Sequence, residues 1–277
     1  MKTFLRDHVL PKPIWSALAA AKDYAIDWID ERGAEFVPPR SVRGYVGSQR
    51  GFLRRGNKYL GFFKTYVGLK PNERVLDVGC GIGRMAIPLT KFLSEEGRYD
   101  GFDIVPLLIE WCQKTITPRY PNFRFHLVDI YNKQYNPSGR FKASDFKFPF
   151  DESSFDFVCL TSVFTHMLPR DVNHYLSEIN RVLKPGGRCL ITWFLLNEKS
   201  RHQIANGQSY LKFEFPIEGC LTTNSDTPEA ALAYDEAEAI SLCRKHSMTI
   251  SHPILYGSWC RRENALGLQD VVIATKV

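Results

Sequence analysis

Apolar and polar residues change rhythm twice along this chain. In IWSALAAAKDYAIDWIDERG apolar residues recur at helical spacing, near Ile14, Leu18, Tyr24, Ile26 and Ile29. Gly33 is a plausible stop, and VPPR after it is a rigid linker. A second helix is predicted across Phe52 to Tyr66. From about Lys70 onward, short continuous apolar runs alternate with helical stretches. RVLDV (74–78), YDGFDI (99–104), FRFHLV (123–128), FDFVCLT (155–161) and RCLITWFLL (188–196) read as strands. RMAIPLTKFLSEEG, LLIEWCQKTI and DVNHYLSEINRVL (171–183) read as the helices between them, with Pro185-Gly186-Gly187 as a turn. Continuous apolar strands separated by helices indicate an α/β fold with a parallel sheet covered on both faces. Its crossovers should be right-handed.

The tail breaks the alternation. DEAEAISLCRKHS (235–247) is a helix, then TISHPILYGSW and QDVVIATKV read as strands with only a loop between them. That predicts a terminal antiparallel hairpin, which a plain dinucleotide-binding fold lacks.

Composition narrows the class. The chain has 277 residues, enough for one large α/β domain with additions or for two small ones. Its 44% hydrophobic and 24% charged residues are those of an ordinary globular protein. No apolar run approaches the roughly 20 residues that span a bilayer. MKTFLRDHVLPKP has no continuous apolar core, so neither signal peptide nor membrane anchor is expected, and a cytoplasmic location is. The seven cysteines are scattered without CxxC spacing, which points to buried thiols and to no metal site. The net charge of +6 is uneven: Arg40 to Lys70 holds eight Lys or Arg and no Asp or Glu. Such a block suits an anionic substrate, nucleic acid, a membrane surface or plain solvent.

The candidate chemistry sits in VLDVGCGIGRMAIPL (75–89), where a strand meets a helix. Gly79, Gly81 and Gly83 remove Cβ atoms where backbone must turn and approach a ligand. The following helix offers unpaired N–H groups to that ligand. The dinucleotide fingerprint needs a glycine at its sixth position, and counting from Gly79 that position is Arg84. Asp77, two residues before the first glycine, would repel a pyrophosphate and attract an ammonium group. Asp103, at the end of the second strand, can accept hydrogen bonds from both hydroxyls of a ribose. Together these describe a nucleoside with a cationic amino-acid arm, which is S-adenosylmethionine.

At this point the sequence resembles the class I S-adenosylmethionine-dependent methyltransferases, of small-molecule type, over about residues 68 to 277. VLDVGCGIGR (75–84), YDGFDI (99–104), FRFHLVDIYN (123–132), FPFDESSFDFVCLTSVFTHM (148–167) and RVLKPGG (181–187) carry the resemblance. It implies a Rossmann-like seven-stranded sheet of order 3-2-1-4-5-7-6, mostly parallel with an antiparallel terminal strand. Residues 1–67 would be an N-terminal helical extension and 68–277 the cofactor-binding domain, with a substrate-cap insertion at about 197–233. Asp77, Gly79, Cys80, Gly81 and Gly83 would hold the methionine end. Asp103 would hold the ribose and Ile104 would pack on the adenine. Asp129 would face the adenine amino group with Ile130 beside the ring. Thr161 and Ser162 would lie near the sulfonium. Many relatives place the adenine aspartate five residues before the proline of an LPF-type motif. Here that position is Ser144, so Asp145, one residue off, is the alternative to Asp129.

Methyl transfer is an in-line displacement for which the enzyme aligns reactants and excludes water. A hydroxyl or amine acceptor also calls for a base. His166, just past the fourth strand, is the candidate, with a structural role in the loop as its alternative. Tyr45, Arg50 and Phe52 of the extension are candidate substrate contacts, and Tyr135 and Asn136 of an apparent inserted loop are further ones. The reading is O-methylation of a small molecule or glycan, with an anionic or lipid-linked acceptor suggested by the basic block. No DNA partner is expected, because LTSVF (160–164) stands where amino-methylating nucleic-acid enzymes carry N/D-P-P-Y/F. The rival readings are an RNA- or protein-modifying methyltransferase, a non-catalytic cofactor-binding relative, and a nicotinamide oxidoreductase.

Overall fold

The computed structural model describes residues 36–43 and 51–277. The helix predicted near Ile14 to Ile29, and the candidates Tyr45 and Arg50, lie outside the described residues. Seven strands build the main sheet: β1 (Arg74–Val78), β2 (Arg98–Asp103), β3 (Phe123–Leu127), β4 (Phe155–Leu160), β5 (Leu183–Trp193), β10 (Met248–Ile250) and β11 (Asp270–Lys276). Their order is β10-β11-β5-β4-β1-β2-β3. The first five are parallel, and β11 runs antiparallel to both β5 and β10. This is the predicted order, with β10 and β11 as the terminal hairpin. The order reverses between β1 and β4, and a crevice opens there at the carboxyl ends of the strands.

The predicted two-sided covering follows from the period of two along each strand. Leu76 and Val78 of β1 face one core with Phe102, Leu160 and Ile191. Helices α4 (Pro169–Val182) and α6 (Glu236–Lys245) cover that face through Tyr175, Leu176, Ile179, Ala239 and Cys243. Val75 faces the other core with Tyr99, Phe123, Phe157 and Cys159. There α3 (Pro106–Thr115) supplies Ile109 and Cys112, while α1 (Phe52–Phe62) and the π-turn Phe63–Val67 supply Phe62 and Phe63. The Phe63 ring stands edge-on to Phe157 at 4.9 Å, so this part of the extension is packed onto the sheet.

Three predicted elements differ. The helix expected over RMAIPLTKFLSEEG is one turn, α2 (Ala86–Leu89). Pro88 has no N–H for the Arg84 carbonyl, and α1 packs there instead: a Cβ on Gly56 would lie 2.4 Å from that oxygen. Pro185 to Gly187 lies within β5 across a register shift against β4, rather than in a turn before it. TISHPILYGSW supplies only Thr249 and Ile250 of β10 and an isolated bridge from Leu255 to Val271, because Pro253 cannot donate to a ladder.

A smaller sheet, absent from the sequence reading, fills the inserted segment. Its order is β6 (Leu195–Leu196), β9 (Leu232–Asp235), β8 (Cys220–Thr222), β7 (Phe215–Ile217), and α5 (Glu198–Ala205) follows β6. Phe194, Leu196, Phe213, Ala233 and Trp259 form its core. All seven cysteines are free and buried. Among the described residues no helix is long and apolar enough to cross a membrane, and no His, Cys, Asp or Glu group is placed to hold a metal ion.

Candidate cofactor and acceptor site

A cavity of about 390 Å³ lies at the carboxyl ends of β1, β2 and β4. The glycine loop forms its floor. Gly79, Gly81 and Gly83 all take φ between 54° and 72°, where a side chain is strained. A Cβ on Gly79 would meet Val163 at 2.5 Å, and one on Gly83 would meet Cys112 of α3 at 3.2 Å. The glycines therefore let the loop pass between the β4 turn and α3 while its backbone stays open to the cavity.

Asp103 ties that loop to the second strand. One carboxylate oxygen accepts the Gly81 N–H at 2.8 Å and the other the Val105 N–H at 3.0 Å. Burial raises the Asp103 pKa, opposed by these backbone donors. Each oxygen keeps a lone pair for a further donor. Ile104, Val105, Leu108 and Ile130 make an apolar slot beside it.

Asp77 is one pleat deeper. It pairs in register with Gly101, two residues short of Asp103, and its carboxyl is fully buried. Its Oδ2 accepts the Tyr99 hydroxyl at 2.7 Å. Burial raises its pKa to about 7, partly offset by that hydrogen bond and one from Cys159. Asp77, expected at the methionine end, does not itself line the cavity: the period of two places it beneath the glycine loop, on Tyr99.

The residues after β4 form the opposite wall. Thr161, Ser162, Val163, His166 and Met167 all line the cavity. Ser162 holds φ at 62°, an uncommon conformation for a residue with a side chain. Its N–H donates to Thr192 Oγ1 at 2.7 Å and its hydroxyl donates to Gln269 Oε1 at 2.9 Å. Such strain persists only where surroundings over-determine it. His166 ends a short 3-10 turn, and its Nδ1 lies 2.8 Å from the Glu229 carbonyl. A neutral ring that donates from Nδ1 keeps its lone pair on Nε2. Burial lowers the His166 pKa, against opposing hydrogen bonds from the backbone of Glu229 and Ala230.

Two further expectations move. Asp129 lies outside the cavity and is paired with Arg140 at 2.5 Å, which holds its pKa down. Its strand has already ended, and the loop beyond folds back so that Phe141 donates to the Asp129 carbonyl. The alternative, Asp145, does not line the cavity either, although Ile130 and Ala143 do. Phe52 is buried against Ile82 and Leu108, so it supports the slot from behind rather than lining it.

Sequence reading missed several wall residues. Tyr131 and Asn132 line the cavity, as do Arg84 and Tyr175. Tyr131 and Asn132 had a positional signal, since they follow the third strand directly. Asn132 donates to the His166 carbonyl at 3.3 Å, and Tyr135 stands edge-on to the His166 ring at 5.5 Å. Glu229 had no local signal at all.

Residues 76–191 match the family described as "Methyltransferase domain". The chain is 30% identical over 128 residues to a ubiquinone/menaquinone biosynthesis C-methyltransferase of Teredinibacter turnerae, covering 46% of this chain and 45% of that protein. It is 27% identical over 165 residues to a tRNA N(3)-cytidine methyltransferase of Gallus gallus, covering 58% of this chain and 38% of that protein. The chain thus spans less than half the length of these two curated relatives. Among solved structures, an S-adenosylmethionine-dependent methyltransferase from Aquifex aeolicus shares the fold, with a TM-score of 0.52 and 18% identity. That likeness covers 87% of this chain and 100% of that one.

Proposed function

We propose that this chain, which carries a class I S-adenosylmethionine-dependent methyltransferase domain, transfers a methyl group to a small, largely uncharged and amphiphilic acceptor. The observation that carries the reading is Asp103. Its carboxylate clamps the Gly81 amide at the cavity floor and retains acceptor capacity toward the cavity. When bound, S-adenosylmethionine supplies an electrophilic methyl carbon on a sulfonium. Asp103 would take the ribose hydroxyls. The loop from Gly79 to Gly83 would lie along the methionine end. Ile104, Val105, Leu108 and Ile130 would enclose the adenine, and Thr161 and Ser162 would stand beside the sulfonium.

The acceptor would then face Tyr131, Asn132, Tyr135, His166 and Met167. Among the described lining residues Arg84 is the only Lys or Arg. That supports an uncharged acceptor within the cavity rather than the anionic one suggested by the basic block. His166 would take the proton of an attacking hydroxyl on Nε2, while the Glu229 carbonyl holds its tautomer. O-methylation is the reading that uses this base. The relative named for ubiquinone/menaquinone biosynthesis is a C-methyltransferase by name, so the acceptor atom needs its own test.

The test is calorimetric titration with S-adenosylmethionine and S-adenosylhomocysteine, with NADH as control. Binding of the first two without the third is expected. Asp103→Ala should weaken both about tenfold or more, as loss of a hydrogen-bonded charge requires. Unchanged affinity would remove Asp103 from the ribose site. Transfer of labelled methyl to phenolic and quinol acceptors then separates oxygen from carbon products.

The tRNA-modifying relative and the eight cations between Arg40 and Lys70 support a second reading, methylation of RNA. A steep fall of tRNA binding with added salt, together with transfer to tRNA, would favour it over the first.

A further inference from the structure

The cavity uses only part of the segment from Tyr131 to Lys147. Its first part closes on itself: Ile130 and Phe141 are bridge partners, and the Tyr131 N–H donates to the Phe141 carbonyl at 2.8 Å. Between them Asn132 and Asn136 exchange backbone hydrogen bonds of 3.1 and 2.9 Å. The Asn132 side chain accepts the amides of Gln134 and Tyr135 at 3.0 Å each. The segment is a built loop at the cavity mouth, held by its own bonds and by those of Lys133 to the Asp226 carbonyl and Asn132 to the His166 carbonyl.

Three large rings of that loop stay open, Phe141 to solvent and Tyr131 and Tyr135 at the cavity they line. Phe141 is 50% exposed, Tyr131 42% and Tyr135 38%. Leu107, in the first turn of α3, is 49% exposed. Leu107 follows β2 as the loop follows β3, and the two neighbouring strands are tied at their ends by the Val128 N–H donating to the Asp103 carbonyl at 3.1 Å. Cations are interleaved with these rings. Lys133, Arg140, Lys142 and Lys147 lie between positions 131 and 147 with Asp145 as the one acid there, and Arg140 is already paired with Asp129, which leaves the three lysines as the excess charge. Arg140 also lies 5.7 Å from the Phe141 ring centroid.

Clustered exposed apolar side chains mark an interaction surface. Amphipathic rings settle at the headgroup level of a bilayer, and interleaved cations meet anionic lipid phosphates. A nucleic acid would reward the cations and stack unpaired bases on Phe141, but it offers the aliphatic Leu107 no apolar phase, as a bilayer does. We propose that the Tyr131–Lys147 loop and the Leu107 corner dock the cavity mouth on an anionic lipid surface. The docking stands apart from the methyl-transfer reading. Its consequence, an acceptor delivered from the bilayer, rests on that reading.

The test is co-sedimentation of the full chain with vesicles of phosphatidylcholine, with and without about a third phosphatidylglycerol. Binding to the anionic vesicles is expected, falling with added salt. Phe141→Ser should weaken it about tenfold, and Lys142→Glu or Lys147→Glu about fivefold each. Cofactor titration of each variant reports whether its fold is intact. Absence of binding to anionic vesicles overturns the proposal, as does binding that these variants leave unchanged. Binding to tRNA that falls with the lysine variants and not with Phe141→Ser, without vesicle binding, overturns it in favour of nucleic acid. The vesicle assay needs neither cofactor nor acceptor, so its failure leaves the methyl-transfer reading standing.

Discussion

Asp77 and Asp103 lie on the same face of neighbouring strands, and two residues of register give them different work. Asp103 reaches the rim, where backbone donors hold it as an acceptor. Asp77 is sealed beneath the loop with a pKa raised to about 7. A carboxyl raised in the folded state contributes stability that is full below its unfolded value of 3.8 and lost as pH rises through about 7. A shift of that size corresponds to up to about 4 kcal/mol across the window. Asp77→Asn keeps an acceptor for Tyr99 and removes the titration. Its melting temperature should therefore decline less than the parent's between pH 5 and pH 8. Equal declines in scanning calorimetry would mean that Asp77 is not the group responsible. His166 has the opposite sign. Its lowered pKa favours the neutral ring at neutral pH, so the rate should rise with pH to a plateau, with the midpoint of the acid limb below that of a free imidazole. His166→Gln should lower kcat about 10²- to 10⁴-fold with cofactor affinity unchanged. A pH–rate profile that keeps its acid limb in the variant would assign the limb elsewhere.

Among elements, α1 and α2 meet through an absence. Pro88 has no N–H to offer the Arg84 carbonyl, and Gly56 lets α1 approach it. Helix propensity alone would make Gly56→Ala stabilising by about 1 kcal/mol. The contact reverses the sign, since the new methyl group would lie 2.4 Å from a backbone oxygen. A loss of about 1–3 kcal/mol in urea denaturation is expected. A gain would show that α1 does not rest there. The loop from Thr223 to Ala230 works at the same scale. Glu229 reaches His166, and Lys133 bonds to the Asp226 carbonyl, so the smaller sheet helps hold both the candidate base and the mouth loop.

For the whole molecule, Asp270 joins the two sheets. It begins β11, is fully buried, and accepts the N–H groups of Leu195, Gly257 and the Trp259 indole at 2.7–2.8 Å. Burial raises its pKa, and these three donors oppose that rise. Asp270→Ala would strand three donors at the junction. A loss of about 3–5 kcal/mol, read from the urea midpoint, is expected. A loss under about 1 kcal/mol would mean that water reaches those donors.

The sequence by itself determined the sheet. Continuous apolar runs in β1 to β5 indicated a doubly covered parallel arrangement, and two strands without a helix between them predicted an antiparallel end. It also determined the floor of the site, because three alternate glycines and a strand-end aspartate are local signals. The tertiary structure decided what those signals could not carry. Whether Asp77 or Asp103 faces the cavity depends on register between strands. Asp129 met Arg140 because the loop after β3 folds back. The partner of His166 is 63 residues away in sequence, in a small sheet whose strands have two to four residues. Strands that short leave no periodicity to read, and such pairings exist only once the chain has closed on itself.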